Sequence, residues 1–172
     1  AWRKLRWLHM KEGNWVKALA AQHRVEKRLN PLDPRDRAEG RFGLGIRYEI
    51  AGDLLAAGKA KDATQALRKL IRDDVRFIPA HVRLGDALRA QGLPNEAVDA
   101  WYQGFETTGS PIFLTFLEEH FLVQEQPLAA IEALKRCIAR ARKDTLPRFY
   151  LGKLFFRLEM LDDALAVLQS LD

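Results

Sequence analysis

One spacing dominates this chain. Leu84, Leu117 and Leu151 form a column that runs in step with Leu88, Phe121 and Phe155, with Ala97, Ala130 and Ala164, with Trp101, Leu134 and Leu168, and with Gly104, Cys137 and Leu171. Every column advances by the same two steps, each of about 34 residues. A fixed period of this length marks a supersecondary unit that cannot bury its own apolar face and has to stack on its neighbours. The chain is therefore expected to fold as repeats, with its function on a surface that the repeats share.

Within one copy the positions have a mechanical meaning. Leu84 and Leu88 lie four apart on one helix face, and Gly85 leaves room for a second helix to come close. The second helix carries small Ala97 and, one turn later, bulky Trp101, an alternation that lets facing helices interdigitate. Gly92 between them can take the left-handed conformation that ends the first helix. The copy that follows departs in two places: Glu118 stands where a glycine is expected, and Pro127 opens the second helix, a position where proline is tolerated.

Toward the N-terminus, Ala63, Leu67 and Leu70 precede their counterparts by one period, whereas Leu44, Gly45 and Tyr48 stand farther ahead of theirs. This reads as an insert of about six residues after Tyr48, absorbed by a longer helix reaching to about Gly58. An earlier copy starts at Leu5 and runs through Gly13, Trp15, Ala18 and Val25. Asn30, Pro31, Leu32, Asp33 and Pro34 form a loop cluster after it. The expectation is one all-α domain, 1–172, of about ten helices in five antiparallel hairpins, 1–30, 36–74, 77–109, 111–142 and 145–172.

These residues resemble the tetratricopeptide repeats, whose helical hairpin of about 34 residues carries Leu-Gly, Tyr, Ala, Phe, Ala and Pro at set places. Leu84-Gly85, Gly92, Ala97 and Trp101 fit that pattern best, and the closing proline is missing from most copies. The resemblance implies a right-handed superhelical solenoid that acts as a protein-binding scaffold or adaptor. More narrowly, the order of elements, with Tyr48-Glu49-Ile50-Ala51 and Gly13-Asn14-Trp15, is similar to the cytoplasmic repeat region of the lipopolysaccharide assembly protein B family. That likeness implies a cytoplasmic location at a bacterial inner membrane, tethered by a segment outside this chain, and a role in regulating lipid A synthesis. That family adds a zinc ribbon with paired cysteines; no such cysteines occur here, so no metal site is carried over.

In such arrays the first helix of each hairpin lines the concave side. The resemblance then places Phe42, Ile46 and Glu49, then Val82, Arg83, Asp86 and Arg89, then Phe116 and Glu119, then Phe149, Tyr150, Lys153 and Phe156 in a groove for a protein or peptide. Aromatic and arginine clusters are where interfaces concentrate binding energy. Phe149 and Phe156 can equally be read as completing the core of the last hairpin. If Arg83 and Arg89 are groove residues, their alanine variants should leave stability nearly intact. The Lys and Asn constellation that grips a chaperone's C-terminal carboxylate in some of these grooves is not supplied at Phe42, Ile46, Val82 or Asp86.

Composition bounds the rest. A chain of 172 residues with 48% apolar content can bury roughly 70% of its unfolded surface without disulfides or metal. It opens with Ala1-Trp2-Arg3, shows no signal-peptide pattern or apolar run near membrane-spanning length, and is expected to belong to a longer chain. Leu161 to Leu171 forms an apolar helix with no polar cap after it, so either more chain follows or two such faces pair in an oligomer. Cys137 sits in a core column, read as a buried spacer or as a reactive thiol without a nearby base. The net charge of +5 invites an RNA-binding helical array as the alternative, against which bases and acids intermix, as in Arg72-Asp73-Asp74. No phosphate loop, dinucleotide fingerprint or nucleophile elbow occurs. The histidines are scattered, His120 is read as a surface or groove residue, and the carboxylate pairs Asp73-Asp74 and Asp162-Asp163 are read as helix-end residues. Neither an enzyme nor a cofactor is expected.

Overall fold

The computed structural model describes residues 1–30, 32–141 and 143–171. Pro31, in the expected loop cluster, and Arg142 and Asp172, which end two expected hairpins, lie outside the described residues. The chain divides into two compact units, Ala1–Leu93 and Pro94–Asp172. Among the described residues all regular structure is helical, in eleven helices of which α3 is a short seven-residue one, in line with the about ten expected.

The first unit holds α1 (Trp2–Lys11), α2 (Trp15–Glu26), α3 (Pro34–Gly40), α4 (Phe42–Ala56), α5 (Ala60–Asp73) and α6 (Ile78–Ala90). Helix α1 packs on α2, α2 on α4, α4 on α5 and α5 on α6. Their starts have local causes. The Asn14 side chain accepts a hydrogen bond from the Lys17 backbone, and Asp33 caps α3 by accepting from Arg35, with Pro34 in the first turn. The second unit holds α7 (Pro94–Thr108), α8 (Ile112–Val123), α9 (Pro127–Arg140), α10 (Leu146–Arg157) and α11 (Leu161–Gln169), each packed on the next. Pro127 stands in the first turn of α9, where the sequence places it.

The repeat is clearest at its turns. Gly13, Gly58, Gly92, Glu125 and Glu159 all have positive φ, and in each case the next helix starts two residues later. The amide after each turn residue donates back five residues, Asn14 to His9, Lys59 to Leu54, Leu93 to Leu88, Gln126 to Phe121 and Met160 to Phe155, at 2.8 to 3.0 Å. This is the Schellman closure, which satisfies carbonyls that a helix end leaves without partners. Glycine adopts it without strain in three copies, and glutamate is held in it in two.

These turns correct the register. Gly58 and Gly92 are one period apart, so Ile50, Ala51 and Leu54 of α4 hold the places of Leu84, Gly85 and Leu88. No six-residue insert follows Tyr48. The surplus lies between α2 and α4, where α3 sits, since the step from Gly13 to Gly58 is longer than any between the later turns. Leu44-Gly45 mimics the Leu-Gly pair, yet a Cβ on Gly45 would meet nothing within 4 Å, while Ala51 is fully buried. Close packing therefore identifies Ala51 as the matching position.

With the register set, the core columns follow. Ala18, Ala63, Ala97, Ala130 and Ala164 are all buried. Gln22, Leu67, Trp101 and Leu134, one turn on, are fully covered, whereas Leu168 is 37% exposed. Small Gly104 lets the Phe113 ring lie where a Cβ would stand 2.5 Å from it. Cys137 is 1% exposed, and burial pushes its thiol up to about 12, which makes it a spacer with no thiolate at neutral pH.

Candidate functional surface

In the first unit the expected groove residues divide by environment. Ile46 is 1% exposed and belongs to the core, so it offers nothing to a ligand. It was placed in the groove by the Leu44-Gly45 register that Ala51 overturns. Phe42 is exposed, and the Arg6 guanidinium lies 4.1 Å from its ring centre. Glu49, Val82, Arg83 and Asp86 are half-buried, and Arg89 is exposed.

Arg83 is tied into the fold. It donates from Nη1 to the Tyr48 carbonyl at 2.8 Å and lies 3.6 Å over the Tyr48 ring, bridging α6 to α4. A Cβ on Gly52 would stand 2.6 Å from the same guanidinium nitrogen, so Gly52 makes the space that Arg83 fills. Beside it, burial holds the Asp86 carboxyl above the usual carboxylate range, with Arg89 and Arg83 pulling the other way.

In the second unit α8 and α10 lie side by side. Phe116 is half-exposed and stacks on Trp101, with ring centres 5.5 Å apart and planes 19° apart. Glu119 is exposed on the same helix. On α10, Phe149 is 50% and Phe156 66% exposed, which separates both from the core of the last hairpin. Phe149, Lys153 and Phe156 follow the i, i+4, i+7 spacing that puts them on one helix face. Tyr150 spans to α8, its hydroxyl 3.4 Å from Thr115 Oγ1, and Lys153 Nζ lies 5.1 Å from the Tyr150 ring centre.

Two networks went unread in the sequence. Glu118 is 1% exposed; Arg157 donates to its Oε1, and Lys153 Nζ lies 3.7 Å from its Oε2. Arg6 is likewise buried, donating to Gln22 Oε1 at 2.5 Å and pairing with Glu39. Both stand in the column of Ala51, Gly85 and Gly152, so a charged residue in a small-residue column was the available signal. His120, expected as a surface or groove residue, is buried edge-on against Trp101 and Phe121. Asp73 and Asp74 do lie at the end of α5, where Asp73 pairs with Arg47 at 2.5 Å, and Asp162 and Asp163 fall in the first turn of α11. Among the described residues no three His, Cys, Asp or Glu side chains gather as metal ligands would, and no helix is long and apolar enough to cross a membrane.

Residues 48–111 match the tetratricopeptide repeat family. Over this span the chain is similar to the tetratricopeptide repeats. The matched span runs from α4 to just past α7. The fold is similar to that of the MamA protein, at 16% identity and a TM-score of 0.50, over 99% of this chain and 87% of that one. TTC0263, a thermophilic tetratricopeptide repeat protein of Thermus thermophilus, matches at 19% identity and a TM-score of 0.47 over 99% of this chain and 90% of its own. YrrB, described as a tetratricopeptide repeat protein with an unusual peptide-binding site, matches at 21% identity and a TM-score of 0.45 over 73% of this chain and 66% of its own. Identity this low makes the MamA likeness a statement about fold. No curated protein matches the chain.

Proposed function

We propose that this chain is a tetratricopeptide repeat protein and a non-catalytic scaffold that binds a protein or peptide on the first-helix faces of its hairpins. The observation that carries the reading is the pair of stripes on neighbouring helices of the second unit, Phe116 and Glu119 on α8 and Phe149, Lys153 and Phe156 on α10. Phe149 and Phe156 stand half or more out of the core and Phe116 is part-exposed, and large aromatic side chains placed so beside charged groups are the composition of an interface anchor. Glu49, Asp86 and Arg89 offer a more polar surface of the same kind in the first unit. Losing an anchor costs about 2 kcal/mol or more in binding. The double variant Phe149→Ala/Phe156→Ala should therefore retain its melting temperature within a few degrees and lose most of the partner it recovers from native lysate. A large loss of stability with recovery unchanged would make these rings structural and defeat the reading.

The narrower proposal, regulation of lipid A synthesis at a bacterial inner membrane, draws on element order alone. Pairing through the exposed Leu161 and Leu165 of α11 is a further proposal of the same standing.

A further inference from the structure

We propose that the α1–α2 hairpin docks on the surface of an anionic lipid bilayer, an activity separate from the scaffold reading. Residues 1–30 carry eight cations, Arg3, Lys4, Arg6, Lys11, Lys17, Arg24, Lys27 and Arg28, against Glu12 and Glu26. That is a local charge of +6 in a chain whose total is +5, so the other residues together carry −1. Glu12 already faces His9 Nδ1 at 3.3 Å, and Glu26 accepts from Gln22 at 3.0 Å. Arg3 and Arg6 are neutralised by Asp36 and Glu39. Lys4, Lys11, Lys17, Arg24, Lys27 and Arg28 have no carboxylate partner among the described residues.

The same hairpin is unusually apolar on its outside. Trp2, Leu5, Trp7, Leu8 and Val16 are 37% to 70% exposed. Lys4, Trp7, Leu8 and Lys11 follow the i, i+3, i+4, i+7 spacing, so one face of α1 presents an indole and an isobutyl group between two amines. The Lys11 amine rests 4.1 Å from the Trp7 ring centre. At the edge of the hairpin, Trp2, Arg3, Arg24 and Arg28 border an open cleft of about 450 Å³. Helices that lie in a membrane interface combine Trp and Leu with Lys and Arg in this way: the apolar groups enter the headgroup boundary and the cations attract anionic lipid. Charge alone fits RNA as well. Exposed aliphatic Leu5, Leu8 and Val16 do not, because they can neither stack on bases nor pair with phosphate.

The test is sedimentation of the whole 172-residue chain with lipid vesicles of phosphatidylcholine alone or with about one-third phosphatidylglycerol. Binding is expected only to the anionic vesicles, falling as salt rises. Each of Lys4→Gln/Lys11→Gln and Trp7→Ser/Leu8→Ser should weaken it about tenfold or more. The matched charge change Lys135→Gln/Arg140→Gln in the second unit should leave it unchanged. Thermal melts verify folding, and the lysine pair carries the test if the apolar pair unfolds. The proposal is overturned by absence of binding to anionic vesicles, by equal binding to neutral ones, or by an equal loss in the second-unit control. Capture of single-stranded RNA or self-association through α1, without vesicle binding, would overturn it in favour of those occupants.

Discussion

Glu118 and Gly152 hold the same place in successive hairpins of the second unit, seven residues before the left-handed turns at Glu125 and Glu159. At Gly152 the absent side chain is the device: a Cβ there would stand 2.6 Å from the Leu168 side chain, so Leu168 of α11 packs directly on the α10 backbone. At Glu118 the place holds a carboxylate, turned toward α10 and matched by Arg157 and Lys153. One position thus serves either close packing within a hairpin or an ionic tie to the next one. The first unit repeats the contrast, with Ala51 packing closely and Arg6 tied to Gln22 and Glu39. A buried charge is tolerated in a small-residue column only because its counter-charge arrives from a neighbouring element.

That contrast can be broken most severely by removing the counter-charges and leaving the carboxylate. Arg157→Ala/Lys153→Ala strands Glu118 in the core, and breaking a buried pair from one side costs roughly 3 to 5 kcal/mol. Adding Glu118→Gly, which copies Gly152, should return much of that loss. A double-mutant cycle by urea denaturation measures it, and equal losses with and without Glu118 would show that the cations act by packing alone.

A smaller effect probes close approach. Gly104→Ala would press a Cβ against the fully buried Phe113 ring, which has no solvent side to move toward. Overpacking of this kind costs roughly 1 to 3 kcal/mol. The same substitution at Gly152 meets the partly exposed Leu168, which can swing outward, and should cost less. Equal melting temperatures for the two variants would mean that burial of the opposing side chain does not set the penalty.

Arg83 and Arg89 extend the comparison to the first unit. Alanine at both was expected to spare stability, which suits exposed Arg89 and does not suit Arg83, with its hydrogen bond to Tyr48 and its ring contact. Arg83→Ala should cost about 1 to 2 kcal/mol and Arg89→Ala less than about 0.5 kcal/mol. Identical denaturation midpoints for the two would remove Arg83 from the α4–α6 bridge.

Legibility followed the same division. The helical class and the alanine column from Ala18 to Ala164 could be read because the period repeats the residue type itself. The register of α4 could not, because Leu44-Gly45 copies the Leu-Gly signature by sequence while Ala51 performs its packing role. Glu118 was read only as a missing glycine, since both of its partners lie more than one full repeat further along the chain and no local spacing connects them. Side chains at half-exposure, Phe116 and Tyr150 among them, depend on what the neighbouring helix leaves uncovered. A column of identities does not contain that information.

A small effect is expected at the turns, where the five copies share one backbone and differ in residue. Gly92 adopts φ +74° and Glu125 φ +56°, both closing the same five-residue hydrogen bond. A side chain in the left-handed region carries roughly 1 kcal/mol of strain, partly offset because glycine loses more backbone freedom on folding. Glu125→Gly should therefore raise stability by a few tenths of a kcal/mol to about 1 kcal/mol, and Gly92→Ala should lower it by a similar amount. Both positions are exposed, and a Cβ on Gly92 would meet nothing within 4 Å, so backbone conformation is isolated from packing. Stabilisation by Glu125→Gly together with destabilisation by Gly92→Ala would establish the turn as the strained constant of the repeat. If Glu125→Gly destabilises instead, the glutamate side chain contributes something at the α8–α9 turn that outweighs the strain of holding it there.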